Sequence, residues 1–166
     1  FELGHVRGAS HDHSRIIRRS YHTPEYVELT AAAYGTWEAV ERDADESLIT
    51  RTGGVDLFPA DAAIDPGPYR ASLDACGVPY EWIDAAEIRR RWPAFAKGTA
   101  IGGDVMAIYS ADTGIAPAAR GTATMQRLAV SHGARLLPRT PVIELRPTGG
   151  EVDVVIENWG HEDLKK

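Results

Sequence analysis

Between Gly8 and Arg19 the chain gathers side chains that can bind an anion and move a proton beside it: Gly8-Ala9-Ser10-His11-Asp12-His13-Ser14-Arg15-Ile16-Ile17-Arg18-Arg19. A glycine lets backbone approach a ligand closely. Ser10 and Ser14 supply hydroxyls, and His11 and His13 can take up or release a proton near neutral pH. Arg15 and Arg18 offer planar, permanently charged forks suited to a carboxylate, a phosphate or a flat ring. Ile16 and Ile17 are expected to hold those forks on a packed wall. In a helical turn Arg15, Arg18 and Arg19 would share one face. In an extended segment Arg15 and Arg19 share a face and Arg18 points the other way. A solvated basic turn is the plain alternative.

Competing chemistries are less well supported. His11 and His13, with His5 and His22, lack the fixed spacing of a metal site, so no metal is expected. Ser10, His11 and Asp12 are adjacent, and adjacent side chains rarely converge in triad geometry; there is no nucleophile-elbow motif. No phosphate loop of the Gly-Lys-Ser type occurs. Neither Gly53-Gly54 nor Gly102-Gly103 has the G-x-G-x-x-G spacing of a dinucleotide fingerprint.

The run from Gly8 to Arg18, a Gly-small-Ser/His stretch followed by Ser-Arg-Ile-Ile-Arg, resembles the FAD-dependent amine and amino-acid oxidases of the sarcosine-oxidase type, within the D-amino acid oxidase superfamily. The resemblance implies FAD as cofactor and oxidation of the C–N bond of a small secondary (N-methyl) amino acid, with oxygen giving peroxide. It implies that Gly8, Ser10, His11, Ser14 and Arg15 lie along the flavin, with His11 and Arg15 in the catalytic role. Arg15 would sit over the ring and favour its reduced anion. Arg18 would receive the substrate carboxylate. Thr140-Pro141-Val142 is similar to the family's Thr-x-Val, which makes Val142 a candidate contact to the adenine end of FAD. A short helix ending in Trp92-Pro93 is shared as well. The resemblance also places a strand–helix–strand with the glycine fingerprint before Phe1 and the rest of the substrate domain after Lys166. The sequence is therefore expected to be a central fragment, and the isolated chain is expected to be inactive. The alternative is a non-catalytic α/β binding or assembly domain that has lost the cofactor.

Composition narrows the classes. The chain has 166 residues, is 43% hydrophobic and 25% charged, and has a mean hydropathy of −0.27. That suits a soluble globular chain with a sizeable core. A net charge of −6 argues against nucleic acid or an anionic membrane as partner; a small amino-acid substrate is what the resemblance implies. No apolar run is long enough to span a bilayer. Cys76 is the lone cysteine, which permits a reducing cytoplasm and excludes an internal disulfide.

The elements that must position these residues follow from periodicity. Thr23-Pro24-Glu25 is a helix start with a hydroxyl cap. Tyr26, Leu29, Ala33, Trp37, Val40 and Ala44 predict one apolar stripe on a helix over about 24–43. Strand material follows at 48–52 and 55–58, interrupted by Gly53-Gly54. A helix is expected over 68–76 with Gly77 as its stop, and a strand over 78–83. Asp84-Ala85-Ala86-Glu87 reads as a capping box that opens a short helix. A strand over 105–110 is followed by a helix from Pro117, striped by Ala118, Thr122, Met125, Ala129 and His132. Strands are expected at 135–137 and 142–145, with a Gly149-Gly150 hairpin returning through Val152, Val154 and Ile156. The expected class is mixed α/β, α+β-like, with a partly antiparallel sheet and helices on one face: a partial FAD-binding fold with a substrate-domain portion. The division implied is 1–47 as flavin-side segment and first helix, 48–115 as substrate-domain portion, and 116–166 as helix and hairpin of the FAD-binding domain.

Overall fold

The computed structural model describes residues 2–96 and 101–157. In chain order the elements are β1 (Arg15–Ile17), α1 (Pro24–Ala44), β2 (Thr50–Arg51), β3 (Gly54–Phe58), α2 (Pro66–Ala75), β4 (Glu81–Asp84), α3 (Ala85–Arg91), β5 (Met106–Ser110), β6 (Gly114–Ala116), α4 (Ala118–Ser131), β7 (Val142–Thr148) and β8 (Glu151–Ile156), with a 3-10 turn at Pro93–Ala96. This is the expected mixed α/β class. The chain divides into two compact units, one of Ser14–Pro117 and one of Phe1–His13 with Ala118–Lys166.

The Ser14–Pro117 unit holds two small antiparallel sheets, ordered β1-β6-β2 and β3-β5-β4. In the second sheet, side chains alternate between faces as the pleat requires. Ile108 of β5 joins Val27 of α1, Leu73 of α2, Phe58 and Val78 in one buried cluster. Its neighbour Ala107 joins Ile83, Ala85, Ile88 and Val105 in the other. Helices α1 and α2 therefore pack on one face and α3 on the opposite one, rather than all on the single face expected from the sequence. Fully burying a residue such as Leu73 or Ile88 contributes about 1.5–3 kcal/mol.

Helix α1 starts where Pro24 and Glu25 suggested, but Thr23 makes no side-chain cap bond; its carbonyl accepts from the Val27 amide at 3.3 Å. The expected stripe is met in part: Ala33, Trp37, Val40 and Ala44 are half-buried, but the most buried positions lie beside it. Val27 and Tyr34 are the buried residues, whereas Tyr26 and Leu29 are 52% and 63% exposed. The packing partners choose the face: Val27 enters the cluster with Leu73 and Ile108, and the Tyr34 hydroxyl donates to the Asp112 carbonyl at 2.7 Å. After α1, the Glu41 carboxylate accepts from the Leu48 and Ile49 amides at 2.5 and 2.7 Å and so fastens the loop into β2.

Helix α3 has half of the predicted capping box. The Asp84 carboxylate accepts from the Glu87 amide at 2.8 Å, while the Glu87 side chain turns to arginines instead. Glu87 pairs with Arg90 and with Arg91 at 2.6 Å each, and Arg91 also reaches Glu81 at 2.5 Å. Charge-assisted bonds from Arg90 first and Arg91 second hold the Glu87 carboxyl down to about 2. A carboxyl depressed on folding stabilises the fold above its unfolded pKa, about 4.3, and loses that contribution as pH falls through the folded value. Glu87→Gln should therefore unfold at lower denaturant than the parent at pH 6, with the two midpoints converging as pH falls toward 2. A constant gap across that range in chemical denaturation would contradict this.

In the other unit, α4 buries Gly121 and Thr124, and Met125 of the expected stripe is 42% exposed. Residues 135–137 form no strand, because in this unit the ladder bonds among the described residues run between β7 and β8. That hairpin turns at Gly149 and Gly150, whose φ angles of +51° and +112° suit glycine. No helix among the described residues is long and apolar enough to cross a membrane.

Candidate functional site

The Gly8–Arg19 stretch is shared between the units. Its first part, with Gly8, Ser10 and His11, belongs to the unit containing α4; Ser14, Arg15 and Arg18 belong to the other.

In the first unit, residues 8–13 run along the start of α4. The Asp12 carbonyl accepts from the Ala119 amide at 3.0 Å, and the Ser10 carbonyl accepts from the Thr122 hydroxyl at 3.2 Å. A helix start has amides without intrahelical partners, so this loop satisfies one and is held there. Between loop and helix lies a cavity of about 650 Å³. Gly8, Ser10 and His11 line it together with Ala9, Asp12 and His13, and so do Ala119, Thr122, Ala123 and Gln126 from α4. Sequence reasoning missed the helix side. Its signal was present, since Ala119, Thr122, Ala123 and Gln126 are small or polar residues spaced three and four apart, and of these only Thr122 lies on the stripe expected from the sequence.

His11 is half-buried, and its Nδ1 contacts the Gly8 carbonyl. A carbonyl oxygen can only accept, so Nδ1 carries the hydrogen, and neutral His11 keeps Nε2 as an acceptor. Val142 belongs to the same unit but stands at the start of β7, 56% exposed, and is not among the residues lining this cavity.

In the second unit, Arg15 lies in β1 opposite Ala116 of β6, and its Nη1 donates to the Ser14 carbonyl at 2.8 Å. The segment is extended, which settles the helical-or-extended alternative at Arg15–Ile17. It also leaves Ile16 75% exposed, so Ile16 is no packed wall for the arginines, while Ile17 is half-buried. Beyond the strand the next two arginines part. Arg18 pairs through Nη1 with Asp56 of β3 and lies over the Tyr21 ring, 5.3 Å from its centroid. Arg19 reaches Asp112 at 3.5 Å and lies over the Tyr34 ring at 5.4 Å. Burial works against the Arg18 charge, but the Asp56 carboxylate and the Tyr21 hydroxyl outweigh it and raise its pKa. Arg18 is thus a fixed cation, about one-third exposed, with Asp56 as its counter-charge. Asp56 was not anticipated, and with 38 residues separating it from Arg18 no local pattern could have shown it.

The cavity can be tested against the cofactor the sequence implies. Ligand sites of a few hundred Å³ are mostly apolar with a few placed polar groups. Small residues with Ser10, His11, Thr122 and Gln126 at hand answer that description for a flat ring. A pyrophosphate needs a glycine turn on a free helix start, whereas the α4 start already binds Asp12. The residues present fit the ring part of FAD.

Known proteins bear on the same point. The chain is 34% identical over 144 residues to a monomeric sarcosine oxidase of Streptomyces avermitilis, covering 86% of this chain and 36% of the relative. It is 30% identical over 139 residues to an N-methyl-L-tryptophan oxidase of Salmonella newport, covering 83% and 36%. Its fold is similar to that of NikD, described as an unusual amino acid oxidase essential for nikkomycin biosynthesis, with a TM-score of 0.75, 25% identity and coverage of 94% and 40%. A glycine oxidase of Geobacillus kaustophilus shares the fold, with a TM-score of 0.71 at 20% identity, covering 93% of this chain and 43% of that one. The chain thus spans about a third of the length of the curated relatives it matches. Residues 1–165 match the model of the FAD dependent oxidoreductases, and the chain belongs to that family, whose cofactor is FAD.

Proposed function

We propose that this chain is part of an FAD-dependent amine oxidase that oxidises the C–N bond of a small secondary, N-methyl, amino acid and passes the electrons to oxygen, giving peroxide. The observation carrying this reading is the cavity of about 650 Å³ formed by Gly8, Ser10, His11 and the small-residue face of α4, of a size and polarity suited to a flat ring. FAD, when bound, supplies the acceptor for the hydride equivalent. The chain's own tasks are to bind and orient. Gly8 and Ser10 let the ring approach the backbone. His11 offers Nε2 as an acceptor while the Gly8 carbonyl holds its Nδ1 hydrogen. In the other unit, Ser14 and Arg15 are assigned to the flavin side, and Arg18 to the substrate carboxylate, where a planar fork fixes orientation as well as charge. Val142 is assigned to the adenine end. The proposal extends to the division of labour, with residues 48–115 as substrate portion and 116–166 as cofactor portion, and to a cytoplasmic setting, which Cys76 as the lone cysteine suits.

The test is oxygen uptake and peroxide release by the FAD-loaded oxidase carrying this segment, over a series of N-methyl and unmethylated amino acids. Turnover is expected with N-methyl substrates. A purified protein that shows no flavin absorption would favour the non-catalytic alternative, and flavin without turnover on any secondary amino acid would overturn the substrate class. The 166 residues alone are expected to bind FAD more weakly than micromolar and to release no peroxide with sarcosine. Ring contacts without a pyrophosphate cradle do not offset the cost of ordering a long flexible cofactor. Titration of the isolated chain by flavin fluorescence checks this.

A further inference from the structure

Asp56 already faces the guanidinium that the proposed function gives to the substrate carboxylate. It reaches Arg18 from β3, the edge strand of the second sheet, and the ladder β3–β5 fixes its place opposite Ile108. Asp56 Oδ1 meets Arg18 Nη1, and the Tyr21 hydroxyl also bonds the guanidinium. A guanidinium has five donors, so donors remain for a planar acceptor beside these two partners. Both side chains keep some access to solvent, 34% for Arg18 and 22% for Asp56. A ligand carboxylate that docks on Arg18 therefore arrives beside a second, fixed negative charge.

We propose that Asp56 is a specificity-determining residue, which makes the Arg18 site select ligands carrying a positive charge next to their carboxylate over simple anions. The inference rests on the reading of Arg18 as the carboxylate clamp. Its physics is charge balance. A lone carboxylate placed on Arg18 shares one cation with Asp56 and is repelled by it across a partly shielded gap. An amino acid in its zwitterionic form brings its own ammonium. Asp56 attracts that group while Arg18 holds the carboxylate, so the pair of opposite charges on the protein matches the pair on the ligand. Selection then comes from an element that disfavours the wrong ligand as much as from one that favours the right one. Asp56 also supplies a partner that keeps Arg18 in one arrangement against the Tyr21 ring before any ligand arrives.

The experiment compares the FAD-loaded oxidase with its Asp56→Asn variant, using acetate and propionate as simple carboxylates and sarcosine as the zwitterion. Carboxylate affinity is read as the competitive inhibition constant and, independently of turnover, by calorimetric titration. Asn keeps the size and an acceptor for Arg18 but removes the charge. The expected result is simple carboxylates binding on the order of tenfold more tightly to Asp56→Asn, with KM for the zwitterion unchanged or raised, so that the selectivity ratio falls. Carboxylates binding equally or more weakly in the variant would overturn the proposal. Asp56→Ser, also neutral, gives the same reading if Asp56→Asn does not fold. Loss of folded protein in both variants would assign Asp56 to the fold alone and overturn it too. Arg18→Ala separates the two levels. If Arg18→Ala keeps the parent's carboxylate affinity, the clamp reading itself fails. If it loses that affinity while Asp56→Asn leaves carboxylates unmoved, only the role of Asp56 fails.

Discussion

Arg18→Ala is expected to lower kcat/KM for an amino-acid substrate by about two powers of ten in the FAD-loaded oxidase, mainly through a higher KM. A charge-assisted pair between guanidinium and carboxylate, partly shielded from water, is worth about 1.5–3 kcal/mol, which is roughly one to two powers of ten. Loss of orientation adds to that, because a substrate held without its fork no longer presents one C–N bond to the acceptor. Removing the arginine also leaves Asp56 without its cation, so a negative charge then faces the incoming carboxylate. Arg18→Lys should recover little, since an ammonium offers no planar fork and does not stack in the same way on Tyr21. Steady-state kinetics across a substrate series checks this. An unchanged kcat/KM in Arg18→Ala would remove Arg18 from the binding role, whatever the activity of the rest of the chain.

Gly114→Val is expected to destabilise the Ser14–Pro117 unit by about 3 kcal/mol or more, the upper part of the range for overpacking a tight site. Gly114 sits in the middle strand of the first sheet, opposite Ile17 of β1 on one side and Arg51 of β2 on the other. A Cβ added there would stand 2.3 Å from the Thr50 carbonyl oxygen and 3.1 Å from Arg51 Cα. Both are backbone atoms, so no flexible side chain can swing away, and either β2 moves or the pairing breaks. Gly114→Ala should already cost about 1–3 kcal/mol for the same reason. Urea unfolding gives the measurement, and a parent-like midpoint for Gly114→Val would refute the closeness of β2 and β6. The consequence for function is positional. Arg18 follows directly on β1, and β1 is paired with β6 through Ile17 and Gly114.

Much of the local structure was legible because its causes are local. Pro24 and Glu25 mark the start of α1, the Asp84 side chain caps α3, and Gly77 and the Gly149-Gly150 pair turn the chain with positive φ. Each of these depends on residues within a turn of one another, so a reader of the sequence holds all the relevant terms. The buried face of α1 was not legible in the same way. Its apolar residues lie on more than one side, and either phase is amphipathic enough to be chosen. The choice of Val27 and Tyr34 was made by Leu73, Ile108 and Asp112, which come from far along the chain. The Arg135–Leu137 segment looked like strand by residue type and is none, since strand is defined by a partner as much as by propensity.

By itself the sequence determined the mixed α/β class, the helices and the hairpin, and the Gly8–Arg18 run whose resemblance pointed to an FAD-dependent oxidase family, to which the chain belongs. It also determined which residue types were available for chemistry. Tertiary structure alone decided how they are shared out. It divided the run between two units, set Gly8, Ser10 and His11 against the α4 residues Ala119, Thr122, Ala123 and Gln126, and sent Arg18 to Asp56 but Arg19 to Asp112. The reason is the range of the forces involved. Dihedral preferences, caps and turns act within a few residues and leave a mark in the local pattern. Ion pairs and packing depend only on distance in space, and the distance between Arg18 and Asp56 is set by β1 meeting β6 and by β3 meeting β5, pairings that no single segment of the chain contains.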